Sequence, residues 1–379
     1  MKIKKLHLLE DSIYSNWYVD NCNLCKDNST EHVFVCLKAN LDYIENKNVS
    51  PCSLNGDLYQ KLIAECENGI YSTVFIHFMD VKKAEFVNKI GNPKIKFVWV
   101  VWGGDLYALN KFNFNIYDRF SKKFMYNHEF LKKKTLRLRA GEIKKKIVSN
   151  SRIDADWQSP IYKTIKRLNA CATLISKEVD LIRKKCNVTL EQIPFAMVSS
   201  HNDVSLVIKE KKNKILVGNS ADPATNQFEI LKSFFKQQIV DEIIVPLSYG
   251  NADYRNELIK EIKHLKLNTT ILTEMLPKSE YYKMLSDVRI AIFPHKIQKA
   301  FGNIIALLYF GAKVFLRECN PIYFELNKIG VVVFPINSSL AKKDFESLSL
   351  EVANKNRKLI NEWIGEEKVK GYYNKFLSY

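Results

Sequence analysis

Residues 98–107 read VWVVWGGDLY, and this stretch indicates how the fold is built. A run of β-branched and aromatic residues is typical of a buried strand. The run stops at Gly103 and Gly104, and Asp105 follows directly. Two glycines at the end of a strand keep side chains away, so that a substrate can approach the main chain. The stretch therefore predicts a sheet strand whose end carries a functional turn.

Strand-like and helix-like segments alternate on both sides of this stretch. Before residue 105, strand-like runs occupy 2–9, 32–38, 72–78 and 96–102, and helical segments lie at 13–26, 57–68 and 81–90. After residue 205, strand-like runs begin near residues 214, 240, 268, 289, 312 and 330, with amphipathic or apolar helical segments between them. Alternation of this kind predicts parallel sheets that are covered by helices.

The chain is predicted to form two successive α/β domains. Residues 1–204 make up the first, residues 205–343 the second, and residues 344–379 a helical tail that packs back on the first. A length of 379 residues and a hydrophobic fraction of 46% fit two domains of ordinary size. We expect the two sheets to face each other across a cleft, since ligands bind beyond the carboxyl ends of parallel strands.

The net charge of +17 predicts an acidic partner, which is a nucleic acid, an anionic membrane or a phosphorylated substrate. The segment 106–152 carries thirteen lysines and arginines against three acidic residues, with aromatic residues between them. A solvated helical face and a phosphate- or membrane-facing surface both explain such a segment. The N-terminus lacks the pattern of a signal peptide, and no run approaches the roughly 18 apolar residues of a membrane span. We expect a cytoplasmic protein with reduced thiols.

Polar residues that follow the strands of the second domain are candidates for ligand binding. In LVGNSADP, Gly218, Asn219 and Ser220 come directly after a strand, where small residues and helix-terminal amides offer an anion site. Ordinary helix capping explains the same residues. The ring of Tyr249 is placed to stack on a nucleobase, and Glu274 to accept hydrogen bonds from sugar hydroxyls, although both residues also suit a solvent-exposed loop.

The stretch HKIQKAFGNIIALLYF, residues 295–310, shows the same pattern of a polar loop followed by a helix. A helix that is apolar nearly all round is expected to be buried, with its first turn at the ligand. Main-chain amides at Gly302 and Asn303 would bind a diphosphate, and His295 and Gln298 would add side-chain donors. A glycine between a loop and a helix is also common in turns that bind no ligand, and this alternative explains the same residues.

In the first domain, Asp105 is the candidate general base, because a carboxylate there can take a proton from an attacking hydroxyl. Capping of the next segment is an equal alternative. His77 with Asp80, after the preceding strand, is a second candidate pair. We expect no metal: Cys22 and Cys25, with His32 and Cys36, fit ordinary helix and strand positions, and the D-x-D at residues 154–156 reads as the start of a helix.

These stretches together resemble glycosyltransferase family 56, the bacterial 4-acetamido-4,6-dideoxy-D-galactose transferases of enterobacterial common antigen synthesis. The resemblance rests on VWGGDLY, ILVGNSADPATNQFEIL, VPLSYGNADY and AFGNIIALLYFGAKVFLRECNPIY, and it covers most of residues 70–335. It departs after Phe301, where GNII replaces a more glycine-rich turn.

The resemblance implies a GT-B fold, with the acceptor in the first Rossmann-like domain and the nucleotide sugar in the second. It implies a TDP-linked donor, a lipid-linked acceptor, no obligatory metal, and peripheral attachment to the inner membrane. We expect a TDP- or UDP-linked donor, a polyprenyl-diphosphate-linked saccharide as acceptor, no cofactor, and a place on the inner face of the bacterial inner membrane. Gly218, Asn219, Ser220, Gly302 and Asn303 would then approach the diphosphate, and Gly103 and Gly104 would line the acceptor side. The alternatives are a basic nucleic-acid-binding protein and a peripheral membrane protein without catalysis.

Overall fold

The structure is a computed structural model, and it describes residues 2–25, 29–112, 114–132, 157–197, 211–336, 340 and 342–379. The chain divides into two compact units. The first comprises Met1–Phe114, Asp154–Asn202 and Ile364–Tyr379, and the second comprises Asn115–Ile153 and Asp203–Trp363. Among the described residues, no helix is both long and apolar enough to cross a bilayer.

The first unit contains a parallel sheet of seven strands in the order β3-β2-β1-β4-β5-β6-β7. Its strands are β1 (Ile3–Leu9), β2 (Thr30–Cys36), β3 (Val49–Pro51), β4 (Tyr71–His77), β5 (Lys96–Val100), β6 (Ala170–Ala172) and β7 (Glu191–Ile193). The central strands form the core: Val74, Phe75, Ile76 and Trp99 are completely buried. Burial on both faces explains why these strands are continuous apolar runs rather than alternating ones.

The second unit contains a parallel sheet of six strands in the order β10-β9-β8-β11-β12-β13. Its strands are β8 (Lys214–Val217), β9 (Glu242–Pro246), β10 (Thr269–Leu272), β11 (Ile290–Phe293), β12 (Lys313–Leu316) and β13 (Phe334–Pro335). Successive strands are added toward one edge of this sheet from β8 to β10 and toward the other edge from β11 onward, so the switch point lies between β8 and β11. In the first sheet the corresponding switch point lies between β1 and β4. Such switch points are where parallel sheets bind their ligands.

Helices connect the strands of both sheets. In chain order they are α1 (Ile13–Cys25), α2 (Asp57–Glu67), α3 (Val81–Asn88), α4 (Gly104–Tyr107), α5 (Arg119–Lys132), α6 (Ser159–Ile165), α7 (Ser176–Cys186), α8 (Gln227–Gln237), α9 (Ala252–Leu265), α10 (Lys278–Asp287), α11 (Phe301–Phe310), α12 (Pro321–Lys328), α13 (Leu350–Ile364) and α14 (Glu366–Ser378). The predicted parallel α/β architecture is confirmed. The short strands β3, β6 and β7 escaped prediction, because three residues are too few to show a period.

Helix α5 belongs to the second unit, although the sequence assigned it to the first domain. The ring of Phe120 lies 4.3 Å from that of Phe228, and the ring of Phe124 lies 5.1 Å from that of Tyr254. The Phe120 amide also donates to the Glu229 carboxylate at 2.7 Å. The apolar face of α5 therefore completes the core of the second sheet, which is why it folds with that unit.

The C-terminal tail is divided between the units, whereas the sequence predicted that all of it packs on the first domain. Helix α13 lies in the second unit up to Trp363, and α14 lies in the first. The Tyr373 hydroxyl in α14 donates to the Met197 carbonyl at 2.8 Å, and the Phe376 ring lies 4.4 Å from that of Phe75. The predicted domain boundary near residue 205 lies outside the described residues.

Candidate active site

The glycine turn after β5 needs both of its glycines. Gly103 has φ of +87°, a backbone conformation that side chains disfavour. At Gly104 a Cβ atom would lie 3.2 Å from the Phe78 ring. Phe78 itself follows β4 with φ of +55°, which is unusual for a bulky residue. Two neighbouring strand ends of the first sheet are therefore fitted closely against each other.

Asp105 holds this turn together from inside the protein. It is only 3% exposed, and its carboxylate accepts hydrogen bonds from Trp99 Nε1 at 2.7 Å and from the Met79 amide at 3.0 Å. The amides of Trp102 and Leu106 donate to its other oxygen, both at 3.1 Å. Burial raises the pKa of Asp105, and the four donors offset part of that effect. The expectation that this carboxylate faces a substrate is not met, since both oxygens are engaged by the protein.

His77 and Asp80 do not form the pair that the sequence suggested. His77 is completely buried, and neither of its ring nitrogens has a hydrogen-bond partner among the described residues. Burial, with the nearby Lys83 charge, lowers the pKa of His77 to about 3, so the ring is neutral at physiological pH. Asp80 instead caps α3 and accepts from the Lys83 amide at 2.8 Å.

In the second unit, Gly218 is required for packing rather than for ligand access. Its φ is +73°, and a Cβ atom would lie 2.5 Å from the Gln227 side chain. Its amide donates to the Ile292 carbonyl at 2.9 Å, so it is no free donor for a diphosphate. Ser220 is buried, and its carbonyl accepts from Gln227 Nε2 at 2.8 Å. The Gly218 amide is therefore engaged within the fold, and contact of this turn with a ligand stays a prediction.

Two asparagines and two tyrosines meet at the carboxyl ends of the second sheet. Asn219 Nδ2 donates to the Tyr249 hydroxyl at 2.7 Å, and Asn303 Nδ2 donates to the Tyr281 hydroxyl at 3.1 Å. Burial raises the pKa of Tyr281, and the adjacent Tyr249 raises it further. Asn219 Oδ1 is buried without a partner among the described residues, while Tyr249 is 49% exposed. The sequence singled out three of these residues but missed Tyr281.

The first turn of α11, which the sequence predicted to bind a diphosphate, is open at Gly302. A Cβ atom at Gly302 would meet no atom within 4 Å. The helix begins after Ala300, whose φ is +57°, and no side chain caps it. The amides of the first turn have no partner within the helix. The remainder of α11 is buried, as expected from its apolar sequence.

The remaining predicted donor residues differ in their exposure. His295 is completely buried and makes no side-chain hydrogen bond among the described residues. Burial lowers the pKa of His295 to about 3, with the charge of Lys299 adding to this effect. Gln298 is half-buried, and Glu274 is exposed just after β10. His295 thus belongs to the core, whereas Gln298 and Glu274 are accessible.

Three cations form ion pairs with two carboxylates beside this edge. Asp118 accepts from Lys296 Nζ at 2.8 Å and from the Arg317 guanidinium, and Asp222 accepts from Lys299 Nζ. Arg317 also donates to the Pro294 carbonyl at 2.8 Å. The sequence could not reveal Arg317 or Asp118 as site residues, because they are 199 positions apart.

No group of three or more His, Cys, Asp or Glu side chains in the described part of the chain could hold a metal ion. The Cys22–Cys25 pair belongs to α1, and both thiols are free. The D-x-D at residues 154–156 lies outside the described residues.

Several solved structures share this fold. A glycosyltransferase from Rickettsia africae is 12% identical, with a TM-score of 0.63, and the match covers 100% of this chain and 97% of that one. Sucrose-phosphate synthase from Thermosynechococcus elongatus is 10% identical, with a TM-score of 0.62 and coverages of 100% and 98%. An Anabaena protein in complex with UDP and glucose is 11% identical, with a TM-score of 0.60 and coverages of 99% in both chains. The architecture is therefore the GT-B fold.

A match between a protein-family model and the sequence identifies the family of this chain. The model described as 4-alpha-L-fucosyltransferase, glycosyl transferase group 56, matches residues 172–364, which is just over half of the chain. The chain belongs to glycosyltransferase group 56, and it is a nucleotide-sugar glycosyltransferase. The match includes every strand of the second sheet and the open first turn of α11.

Proposed function

We propose that this enzyme transfers a 4-acetamido-4,6-dideoxyhexose, or a related deoxysugar, from a TDP-sugar to a lipid-linked saccharide in bacterial surface polysaccharide synthesis. The observation that carries the proposal is the group 56 match over the whole second sheet. The family is named for transfer of fucose, which is a 6-deoxyhexose. A donor that lacks the 6-hydroxyl is thus common to the family description and to the sequence resemblance.

The donor binds at the carboxyl ends of the second sheet in this proposal. The diphosphate lies against the first turn of α11, where amide groups and the open face of Gly302 accommodate phosphate oxygens. Asn303 and Asn219 are held beside it by Tyr281 and Tyr249. The exposed ring of Tyr249 stacks on the base, and Glu274 and Gln298 bind sugar hydroxyls. The Anabaena relative with UDP and glucose supports nucleoside diphosphate binding by this fold.

Charge on the leaving diphosphate is stabilised by the helix terminus and by the nearby cations. Lys296, Lys299 and Arg317 are the cations of this region, and each is held in place by an ion pair with Asp118 or Asp222. Fixed positive groups of this kind act where negative charge develops in the transition state.

The acceptor is carried by a membrane lipid, and we propose that α5 contacts the anionic surface of the inner membrane from the cytoplasm. Phe120 and Phe124 pack inward, while Arg119, Lys122 and Lys123 are exposed on the other face. These three cations form no ion pair with a described residue. Each such cation near an anionic bilayer contributes about 1 kcal/mol to binding.

The test has a donor arm and a membrane arm. TDP is expected to raise the melting temperature of the enzyme. The enzyme is expected to transfer the sugar of a TDP-linked 4-acetamido-4,6-dideoxyhexose to octyl- or farnesyl-diphosphate-linked N-acetylhexosaminides. UDP- and GDP-linked 6-deoxyhexoses complete the donor panel. Tyr281→Phe should weaken TDP binding a few-fold, because one hydrogen bond contributes about 1 kcal/mol, and Tyr282→Phe is the control. No stabilisation by any nucleotide, together with no transfer, would overturn the proposal.

In the membrane arm, phosphatidylglycerol vesicles should bind the enzyme and phosphatidylcholine vesicles should not. The double variant Lys122→Glu, Lys123→Glu should lose this binding. Lys260→Glu with Lys263→Glu, on the exposed face of α9, makes the same change in net charge and is expected to retain it. Equal loss in both variants would reject α5 as the contact surface. Binding of a short nucleic acid duplex in place of vesicles would favour the nucleic-acid alternative.

A further inference from the structure

Four carboxylates follow the strands of the first sheet, and in three of them both oxygens accept hydrogen bonds from the protein. Asp105 has both oxygens occupied, as described above. Asp11 accepts from Lys38 Nζ at 2.7 Å and from the amides of residues 42, 43 and 44. Asp80 uses one oxygen for the Lys83 amide and the other for Lys83 Nζ, at 2.9 Å. In each of these three, both carboxylate oxygens already accept at least one hydrogen bond from the protein.

Glu10, directly after β1, is the fourth carboxylate and differs from the others. Its Oε2 accepts from Lys83 Nζ at 2.6 Å, whereas its Oε1 accepts no hydrogen bond from a described residue. Its side chain is 31% exposed, while that of Lys83 is 3% exposed. The single Lys83 ammonium is shared between Glu10 and Asp80, so the group keeps a net negative charge. Glu10 is thus held through one oxygen, while its side chain is partly exposed.

Aromatic side chains lie beside this group. The main-chain carbonyl of Phe78 accepts a hydrogen bond from Lys83 Nζ at 3.1 Å. The Phe78 ring lies 6.0 Å from the Trp102 ring. The Trp102 ring lies 6.1 Å from that of Tyr14, which is 47% exposed. Trp102 Nε1 is buried and has no partner among the described residues. Aromatic faces with a few polar groups at their edge suit a saccharide, whose C–H faces stack while its hydroxyls hydrogen-bond.

We propose that Glu10 is the general base of the transferase, at an acceptor-saccharide site formed with Trp102 and Tyr14. Glu10 Oε1 takes the proton of the acceptor hydroxyl as that oxygen attacks the anomeric carbon of the donor. The new C–O bond forms as the bond from the anomeric carbon to the diphosphate breaks, and TDP leaves with the electron pair. Such a single displacement inverts the anomeric configuration. This assignment rests on the proposed sugar transfer.

The first experiment replaces Glu10 by Gln, which keeps the shape and removes the basic oxygen. With the TDP-sugar and octyl N-acetylhexosaminide, kcat should fall about 100- to 10,000-fold, the usual contribution of a general base. The stabilisation by TDP should stay at its wild-type value. The matched control is Glu85→Gln, an exposed residue of α3, which should turn over normally. Wild-type turnover by Glu10→Gln would overturn the assignment and leave the proposed function intact.

A second measurement on Glu10→Gln gives a result that does not depend on how much of the variant is folded. An acceptor with a thiol at the reacting position needs no general base, because a thiol ionises near pH 8.5. The ratio of thiol transfer to hydroxyl transfer should rise at least 100-fold in Glu10→Gln, and it is independent of how much enzyme is folded. An unchanged ratio would show that Glu10 acts only on structure. Wild-type enzyme without transfer to either acceptor would instead overturn the proposed function itself.

Discussion

The carboxyl edges of the two sheets are built from different side chains, although the sheets share one topology. At the first edge, Asp105 is buried beneath four donors and His77 is neutral in the core, so that strand-end polar residues stabilise turns. At the second, Tyr249 is half-exposed and the space at Gly302 is open. A polar residue after a parallel strand is therefore not by itself a ligand contact. Its exposure and its existing hydrogen bonds decide which role it has.

The edges also differ in charge, and this difference fits their proposed ligands. Glu10, Asp11, Asp80 and Asp105 outnumber Lys38 and Lys83 at the first edge. At the second edge, Lys296, Lys299 and Arg317 pair with Asp118 and Asp222, and Glu229 lies near Arg317. An acidic, aromatic edge suits a neutral saccharide hydroxyl that must lose a proton. Fixed cations at the second edge suit a nucleoside diphosphate.

The largest effect is expected from Asp105→Asn. The NH2 group of the new asparagine would face N–H groups that now donate to the carboxylate. At least one of these buried donors would therefore lose its acceptor. We expect the free energy of unfolding to fall by about 3 kcal/mol, measured by urea denaturation. Asp42→Asn, at an exposed carboxylate of the same unit, should cost far less. Full stability with lost turnover would restore Asp105 as the catalytic base.

Gly218→Ala should have the next largest effect and is best compared with Gly302→Ala. The positive φ and the Gln227 side chain predict a loss of about 2 kcal/mol in the free energy of unfolding at Gly218. At Gly302 the methyl group meets open space, so stability should hold or rise by up to about 1 kcal/mol. TDP affinity should nevertheless fall in Gly302→Ala, measured by calorimetry. Equal stabilities of the two variants would remove the distinction between a packing glycine and a binding glycine.

The smallest effect at neutral pH is expected from His77→Leu. The pKa of His77 is about 3 in the folded state and near 6.5 in the unfolded chain, so the unfolded state binds more protons between these values. Wild-type stability therefore falls as pH drops from 6.5, by about 2 kcal/mol at pH 5 for this residue. Denaturation at pH 7 and pH 5 should show a weaker pH dependence in His77→Leu, with normal turnover at pH 7. An unchanged pH dependence would mean that the ring is protonated in the folded protein.

Much of the fold was predictable, because local periodicity carries it. The alternation of apolar runs with amphipathic segments gave the parallel sheets, and the apolar sequence of residues 301–311 gave the buried helix α11. The assignment of α5 failed, since its aromatic residues show that one face is buried but not which unit covers it. Likewise the sequence identified Asn219 and Tyr249 but not Tyr281, which lies within a helix where no strand end marks it.

The sequence alone determined the two parallel sheets, the points where their strands end, and the glycines at those points, because strand period, helix period and turn preference are properties of neighbouring residues. Only the tertiary structure decided which polar side chains are engaged and which are accessible. Glu10 and Lys83 are 73 positions apart, and their contact exists only because β1 and β4 are adjacent in the sheet. Hydrogen bonds between distant residues depend on how the strands are ordered, and that order is a property of the folded chain.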